Sequence, residues 1–183
     1  MTPLRSKVHC EIAALLAVFF LGGCASLAPP VQRVDQITPE GSGDTEIEQN
    51  VRELIADAKD ESAAVYLQNG VDAFAARLAA VERSSRSVDA QYYLFHNDIT
   101  GNLFAERLLT AAQRGIQVRL LLDDMGTQGQ DDYLLALDAH SNIDIRIFNP
   151  FANRKYRALE YLYRFGIVTR RMHNKSLIID GAA

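Results

Sequence analysis

The sequence predicts an α/β fold, a mostly parallel sheet flanked by helices. Two observations carry this. From Ser87 onward, β-rich apolar runs alternate with stretches of helical spacing, in the order strand, helix, strand, helix, strand. The middle run, Ile116 to Leu122, is apolar except for Gln117 and Arg119, as suits an interior strand.

The first part of the chain reads differently. Arg5 and Lys7 form a short basic segment, and Ile12 to Leu21 is an apolar run of ten residues. Ten residues are too few to span a bilayer as a helix but suit the core of a secretory signal, although Glu11 at its start is untypical. The following Leu21-Gly22-Gly23-Cys24 resembles the lipobox of bacterial lipoproteins. That resemblance implies a signal over residues 1–23, cleavage before Cys24 and a lipid on its sulfur. The other cysteine, Cys10, lies inside the segment to be removed, so Cys24 has no disulfide partner in the mature chain. Lipid chains there would anchor the protein to a membrane without spanning it. Ala25 after the cysteine would favour the outer membrane, facing the periplasm. Residues 24–45, rich in Pro, Gly and small polar side chains, read as a flexible tether.

The folded part then begins. Thr45-x-x-Glu48 has capping-box spacing, and Ile47, Val51, Leu54, Ile55 and Ala58 follow at helical intervals, which predicts a helix over 46–59. Val71, Phe74, Leu78 and Val81 predict a second over 70–84. Ser87 to Phe95 reads as a strand. Thr100 is placed to cap the next helix, which carries Leu103, Phe104, Leu108 and Ala111 and stops at Gly115. After the Ile116–Leu122 strand, a glycine-bearing loop leads to a helix near 131–140. Ile143 to Phe148 alternates apolar and polar residues as a strand and ends at Asn149-Pro150. Pro150 to Val168 fits either a helix or an interfacial loop bearing aromatics.

Charge sets limits on partners. Removing residues 1–23 takes two bases and one acid from 19 and 23, leaving 17 and 22, a net charge of −5. A net acidic chain is a poor general binder of nucleic acid. Between Pro150 and Lys175, however, seven bases (Arg154, Lys155, Arg157, Arg164, Arg170, Arg171 and Lys175) face one acid, Glu160. Such a segment predicts a local basic surface for an anionic headgroup.

The chemistry concentrates at Met172-His173-Asn174-Lys175-Ser176-Leu177-Ile178-Ile179-Asp180. Read as a strand, this run puts His173 and Lys175 on one face, with backbones about 6.6 Å apart. Lysine can hold a phosphate oxygen, and histidine can attack or move a proton near neutral pH. Asp180, past the apolar run, is placed to accept from an imidazole N–H. Asp123-Asp124 is a weaker candidate for a cation, since acids at a strand end more often cap or face solvent. His96 and His140 are isolated. No Gly-rich phosphate loop, nucleophile elbow or Cys–His cluster is present.

The spacing His173-x-Lys175-x4-Asp180 resembles the signature of the phospholipase D superfamily. Residues 70–180 resemble its bacterial cardiolipin-synthase branch through Asp72-Ala73-Phe74-Ala75-Ala76-Arg77, Gln91-Tyr92-Tyr93, Arg114-Gly115-x-x-Val118-Arg119-Leu120-Leu121-Leu122-Asp123-Asp124, Phe148-Asn149-Pro150-Phe151 and Arg171-Met172-His173-Asn174-Lys175-Ser176. The resemblance implies that residues 46–183 form one half of a phospholipase D fold. It implies a phosphatidyltransferase or phosphodiesterase that needs no metal or other cofactor. His173 would be nucleophile or acid–base partner, Lys175 would hold phosphate and Asp180 would orient an imidazole. Family sites use two such signatures and this chain has one, so a missing C-terminal region or a second copy is expected to supply the other. The implied substrate is an anionic phospholipid and the implied product cardiolipin. An envelope nuclease on the same scaffold, or an inactive truncated lipoprotein, are the alternatives.

Overall fold

A computed structural model describes Leu27, residues 44–56 and residues 64–182. The signal, Cys24 and most of the tether lie outside the described residues, as do positions 57–59 of the first expected helix.

Helix α1 (Glu46–Leu54) opens on the expected capping box. The Glu48 N–H donates to Thr45 Oγ1 at 3.2 Å, and the Thr45 N–H donates to the Glu48 carboxylate at 3.0 Å. Helix α2 (Gly70–Glu82) is capped by Asn69, whose side-chain oxygen accepts from the Asp72 N–H at 2.8 Å. Strand β1 (Ser87–Leu94) leads to helix α3 (Ile99–Gln113). The cap of α3 is Asp98, not the expected Thr100. Asp98 accepts from the Gly101 N–H at 2.8 Å and from the Thr100 hydroxyl at 2.8 Å. These donors favour the charged carboxylate and hold its pKa below the ordinary value, the Gly101 N–H contributing most. Gly101 is required there, because a Cβ would lie 1.8 Å from the His96 carbonyl oxygen. Gly115 ends α3 at φ +91°, a conformation that L side chains rarely adopt.

Strand β2 (Gln117–Gly126) runs four residues beyond the expected end and takes in Asp123 and Asp124. Helix α4 (Asp131–Asp138) and strand β3 (Ile143–Phe148) follow. The stretch after Pro150, open in the sequence between a helix and an interfacial loop, forms two short helices, α5 (Arg157–Tyr163) and α6 (Phe165–Val168). The last strand, β4 (Lys175–Ile179), is shorter than expected, and His173 precedes it.

The strand order is β3-β2-β1-β4, with β2 interior as expected. β1 pairs parallel with β2, and β2 with β3, while β4 pairs antiparallel with β1. The sheet is therefore mostly parallel, as the sequence predicts. The core joins alternate strand residues, Val88 and Ala90 with Val118, Leu120 and Leu122, to Val81 of α2 and Phe104, Leu108 and Ala111 of α3. Tyr92 and Phe95 each meet the Phe104 ring edge-on, at centroid distances of 5.6 and 6.4 Å. Among the described residues, no helix is long and apolar enough to cross a membrane.

Candidate functional site

Because β4 runs against β1, its start lies at the carboxyl ends of the parallel strands. That is where ligands bind in open α/β sheets. Lys175 is the register partner of Tyr92. The neighbouring Tyr93 ring is the platform of the site. The His173 ring tilts against it at 5.0 Å between centroids, and the Lys175 ammonium lies 5.5 Å from the same centroid. The ammonium also donates to the His173 carbonyl oxygen at 2.9 Å. Asn174 Nδ2 donates to Gln91 Oε1 at 3.2 Å beside them. His173 and Lys175 are both exposed, so a phosphodiester can reach either. The structure thus brings together the two residues the sequence pairs, although only Lys175 belongs to the strand.

Asp180 requires a correction. It sits at the opposite end of β4, about 16 Å of strand from Lys175 at the usual rise per residue. Its carboxylate is 1% exposed in residue terms and accepts from three backbone N–H groups. Ser85 donates to both oxygens at 3.1 and 3.0 Å, Arg86 at 2.7 Å and Ser87 at 3.0 Å. The Asp180 N–H in turn donates to the Ser87 carbonyl at 2.9 Å. Asp180 therefore locks the entry of β1 and does not reach the His173 imidazole of its own chain.

Asp123 and Asp124, open in the sequence between a cation site, a capping role and a solvent-facing one, take the capping role: both accept from backbone N–H groups. Neither faces solvent: both are 0% exposed. Asp123 accepts from the Met172 N–H at 2.8 Å, from Arg171 at 3.1 Å and from the Met125 N–H at 2.8 Å. Asp124 accepts from the Phe151 N–H at 2.7 Å, the Thr127 hydroxyl at 2.7 Å, Arg157 at 3.1 Å and Arg154. Burial lowers the Arg157 pKa from the ordinary arginine value, and the Asp124 charge acts against that. The Phe151 ring centroid lies 5.0 Å from the Arg157 guanidinium and 4.8 Å from that of Arg171. Two adjacent carboxylates thus clamp the chain from Phe151 to Met172, and the second clamp point is the residue before His173.

This clamp also corrects the expected basic surface. Arg154, Arg157 and Arg171 turn inward to the two aspartates, and Arg164 turns to buried Glu160 at the i,i+4 spacing. Lys155, Arg170 and Lys175 remain exposed. Among the described residues, no group of three or more His, Cys, Asp or Glu side chains is placed to hold a metal ion.

The family described as "Cardiolipin synthase, PLD-like domain" matches residues 78–183. The chain belongs to the cardiolipin-synthase-like branch of the phospholipase D superfamily. Cardiolipin synthase C of Escherichia coli is 49% identical over 115 residues, covering 63% of this chain and 24% of that protein. An uncharacterized protein of Helicobacter pylori is 35% identical over 177 residues, covering 92% of this chain and 34% of that protein. The chain thus spans about a quarter to a third of these curated relatives. Among solved structures, a phospholipase D family member, Nuc from Salmonella typhimurium, aligns over 58% of this chain and 56% of its own, with 20% identity and a TM-score of 0.39.

The family signature is legible in the spacing, but nothing local in the sequence marks Tyr93 for a role. Its adjacency to a β-strand end was visible in the sequence. Its partners lie 80 residues further on and depend on the antiparallel pairing of β4.

Proposed function

We propose that this chain carries one half of the active site of a phospholipid phosphatidyltransferase, most simply one that makes cardiolipin. The observation that carries the reading is an exposed imidazole and an exposed ammonium on one aromatic ring, at the carboxyl ends of the strands. The His173 imidazole nitrogen attacks the phosphorus of phosphatidylglycerol, and the bond from phosphorus to the glycerol oxygen breaks. A second imidazole protonates the departing glycerol. It then takes the proton from the glycerol hydroxyl of a second phosphatidylglycerol as that oxygen displaces His173. Cardiolipin and free glycerol result. Water in place of the second lipid gives phosphatidic acid. Lys175 holds a phosphate oxygen by a charge-assisted hydrogen bond. The second imidazole comes from another signature, in a further region of the protein or in a second copy. Attachment through Cys24 to the outer membrane, facing the periplasm, would keep the site beside its substrate.

A nuclease on the same scaffold is the weaker reading. The inward turn of Arg154, Arg157, Arg164 and Arg171 removes cations that a phosphate backbone would need. The test is conversion of phosphatidylglycerol by the full-length gene product, followed by lipid chromatography. Wild type should form cardiolipin, and His173→Ala should not. Equal conversion by both proteins would refute the role of His173.

A further inference from the structure

We propose that the outward face of α5 and α6 docks on an anionic phospholipid surface. The inference rests on the phospholipid reading of the site and names how that site meets its substrate.

The first observation is inverted patterning. Helix α5 turns Arg157 (7% exposed) and Glu160 (0%) inward and Leu159 (49%) and Leu162 (77%) outward. An ordinary surface helix does the reverse. Tyr163, Phe165 and Ile167 continue the apolar face at 49%, 63% and 49% exposure. The polar interior holds this segment in place. Beneath it lie the Asp124 ion pairs with Arg154 and Arg157 and the Glu160 pair with Arg164. Asn149 Nδ2 also donates to the Ile167 and Arg170 carbonyls, at 2.7 Å each. The apolar side chains are therefore held out, and the clamp leaves them no route into the core.

The second observation is charge. Lys155 precedes α5 and Arg170 follows α6 in the chain, and both are exposed. Lys155 lies 5.5 Å from the Tyr156 ring centroid. The one acid between Pro150 and Lys175, Glu160, is buried. The segment is thus apolar on its outward face with a cation before and after it, the complement of an acyl-chain layer beneath anionic headgroups. A second copy of the chain would present the same cations, and charge complementarity favours the lipid. Arg170 is three residues before His173, so docking brings headgroups to the catalytic side of the sheet.

The experiment is flotation of the mature chain, residues 24–183 carrying Cys24→Ser to remove any lipid anchor, with vesicles of equal phosphatidylglycerol and phosphatidylcholine. The protein should float with these vesicles and bind pure phosphatidylcholine less. Leu162→Asp with Phe165→Asp should weaken binding about tenfold or more. Lys155→Glu with Arg170→Glu should abolish the preference for anionic vesicles. His173→Ala should bind as the parent does, so failure of docking and failure of the transfer chemistry read out separately. Unchanged flotation of the Leu162/Phe165 variant would overturn the proposal. So would loss of self-association in that variant, by light scattering, with vesicle binding intact.

Discussion

Two regions of the molecule are buried by opposite means. Between the sheet and α3 the interior is apolar: Val88, Val118, Leu122, Leu108 and Ala111 are all 0% exposed. Between β2 and α5 the interior is ionic, with Asp123, Asp124 and Glu160 equally hidden and paired to four arginines. The first region gains stability from area removed from water and tolerates no charge. The second exchanges hydration of ions for ion pairs and backbone N–H donors, an arrangement that fixes geometry more than it adds stability. The difference places function. The candidate imidazole follows directly from the ionic region, whereas the apolar region ends on the sheet that supports it.

The comparison breaks hardest at the aspartates. Asp123→Ala leaves the half-buried Arg171 without its carboxylate and the Met172 N–H without its acceptor, and should cost about 3–5 kcal/mol in urea unfolding. Replacing both Asp123 and Arg171 by leucine should recover part of that loss, since the unpaired charge is then gone. No recovery would mean that the pair itself supplies net stability.

The apolar region gives the next largest effect. Leu108→Ala should cost about 2–5 kcal/mol by opening a cavity beneath the sheet. Leu162→Ala, on the outward face of α5, should change stability by about 0.5 kcal/mol or less. Equal costs at the two leucines would show that α5 is packed in solution as α3 is, against the inverted pattern.

The smallest effect is in alkali. Burial pushes the Tyr92 and Tyr133 phenols above the ordinary value of 10.0, with Arg77 pulling Tyr92 back. A raised folded-state pKa means that the folded protein keeps protons which the unfolded chain releases. Their contribution is complete below the ordinary phenol value and is lost as pH rises through the folded one. Urea midpoints should therefore fall in that range. The Tyr133 hydroxyl is buried without a hydrogen-bond partner, so Tyr133→Phe should lessen the fall without destabilising the protein at neutral pH.

The apolar region was legible in the sequence because its signals are local. Periodicity from Val71 to Val81, alternation from Ile143 to Phe148 and the Thr45–Glu48 box each need only a few consecutive residues. The ionic region was not. An arginine bound for a buried aspartate carries no local mark that separates it from a solvated one, and Arg171 meets Asp123 across 48 positions. For that reason the bases from Arg154 to Arg171 read as a surface, and for Asp123 and Asp124 the sequence leaves capping and solvent exposure undecided. Asp180 shows the same limit. The signature spacing located it, but its partners, the N–H groups of Ser85 to Ser87, depend on the pairing of β4 with β1.

The central claim is that His173 forms a bond to phosphorus while Lys175 holds the phosphate. It is tested most directly by quenching the full-length gene product in alkali during turnover of phosphatidylglycerol and mapping adducts by mass spectrometry. A phosphatidyl group on the peptide containing His173, absent from His173→Ala, is the predicted result. Turnover with the adduct on another residue, or with none that can be trapped at any time point, would contradict it.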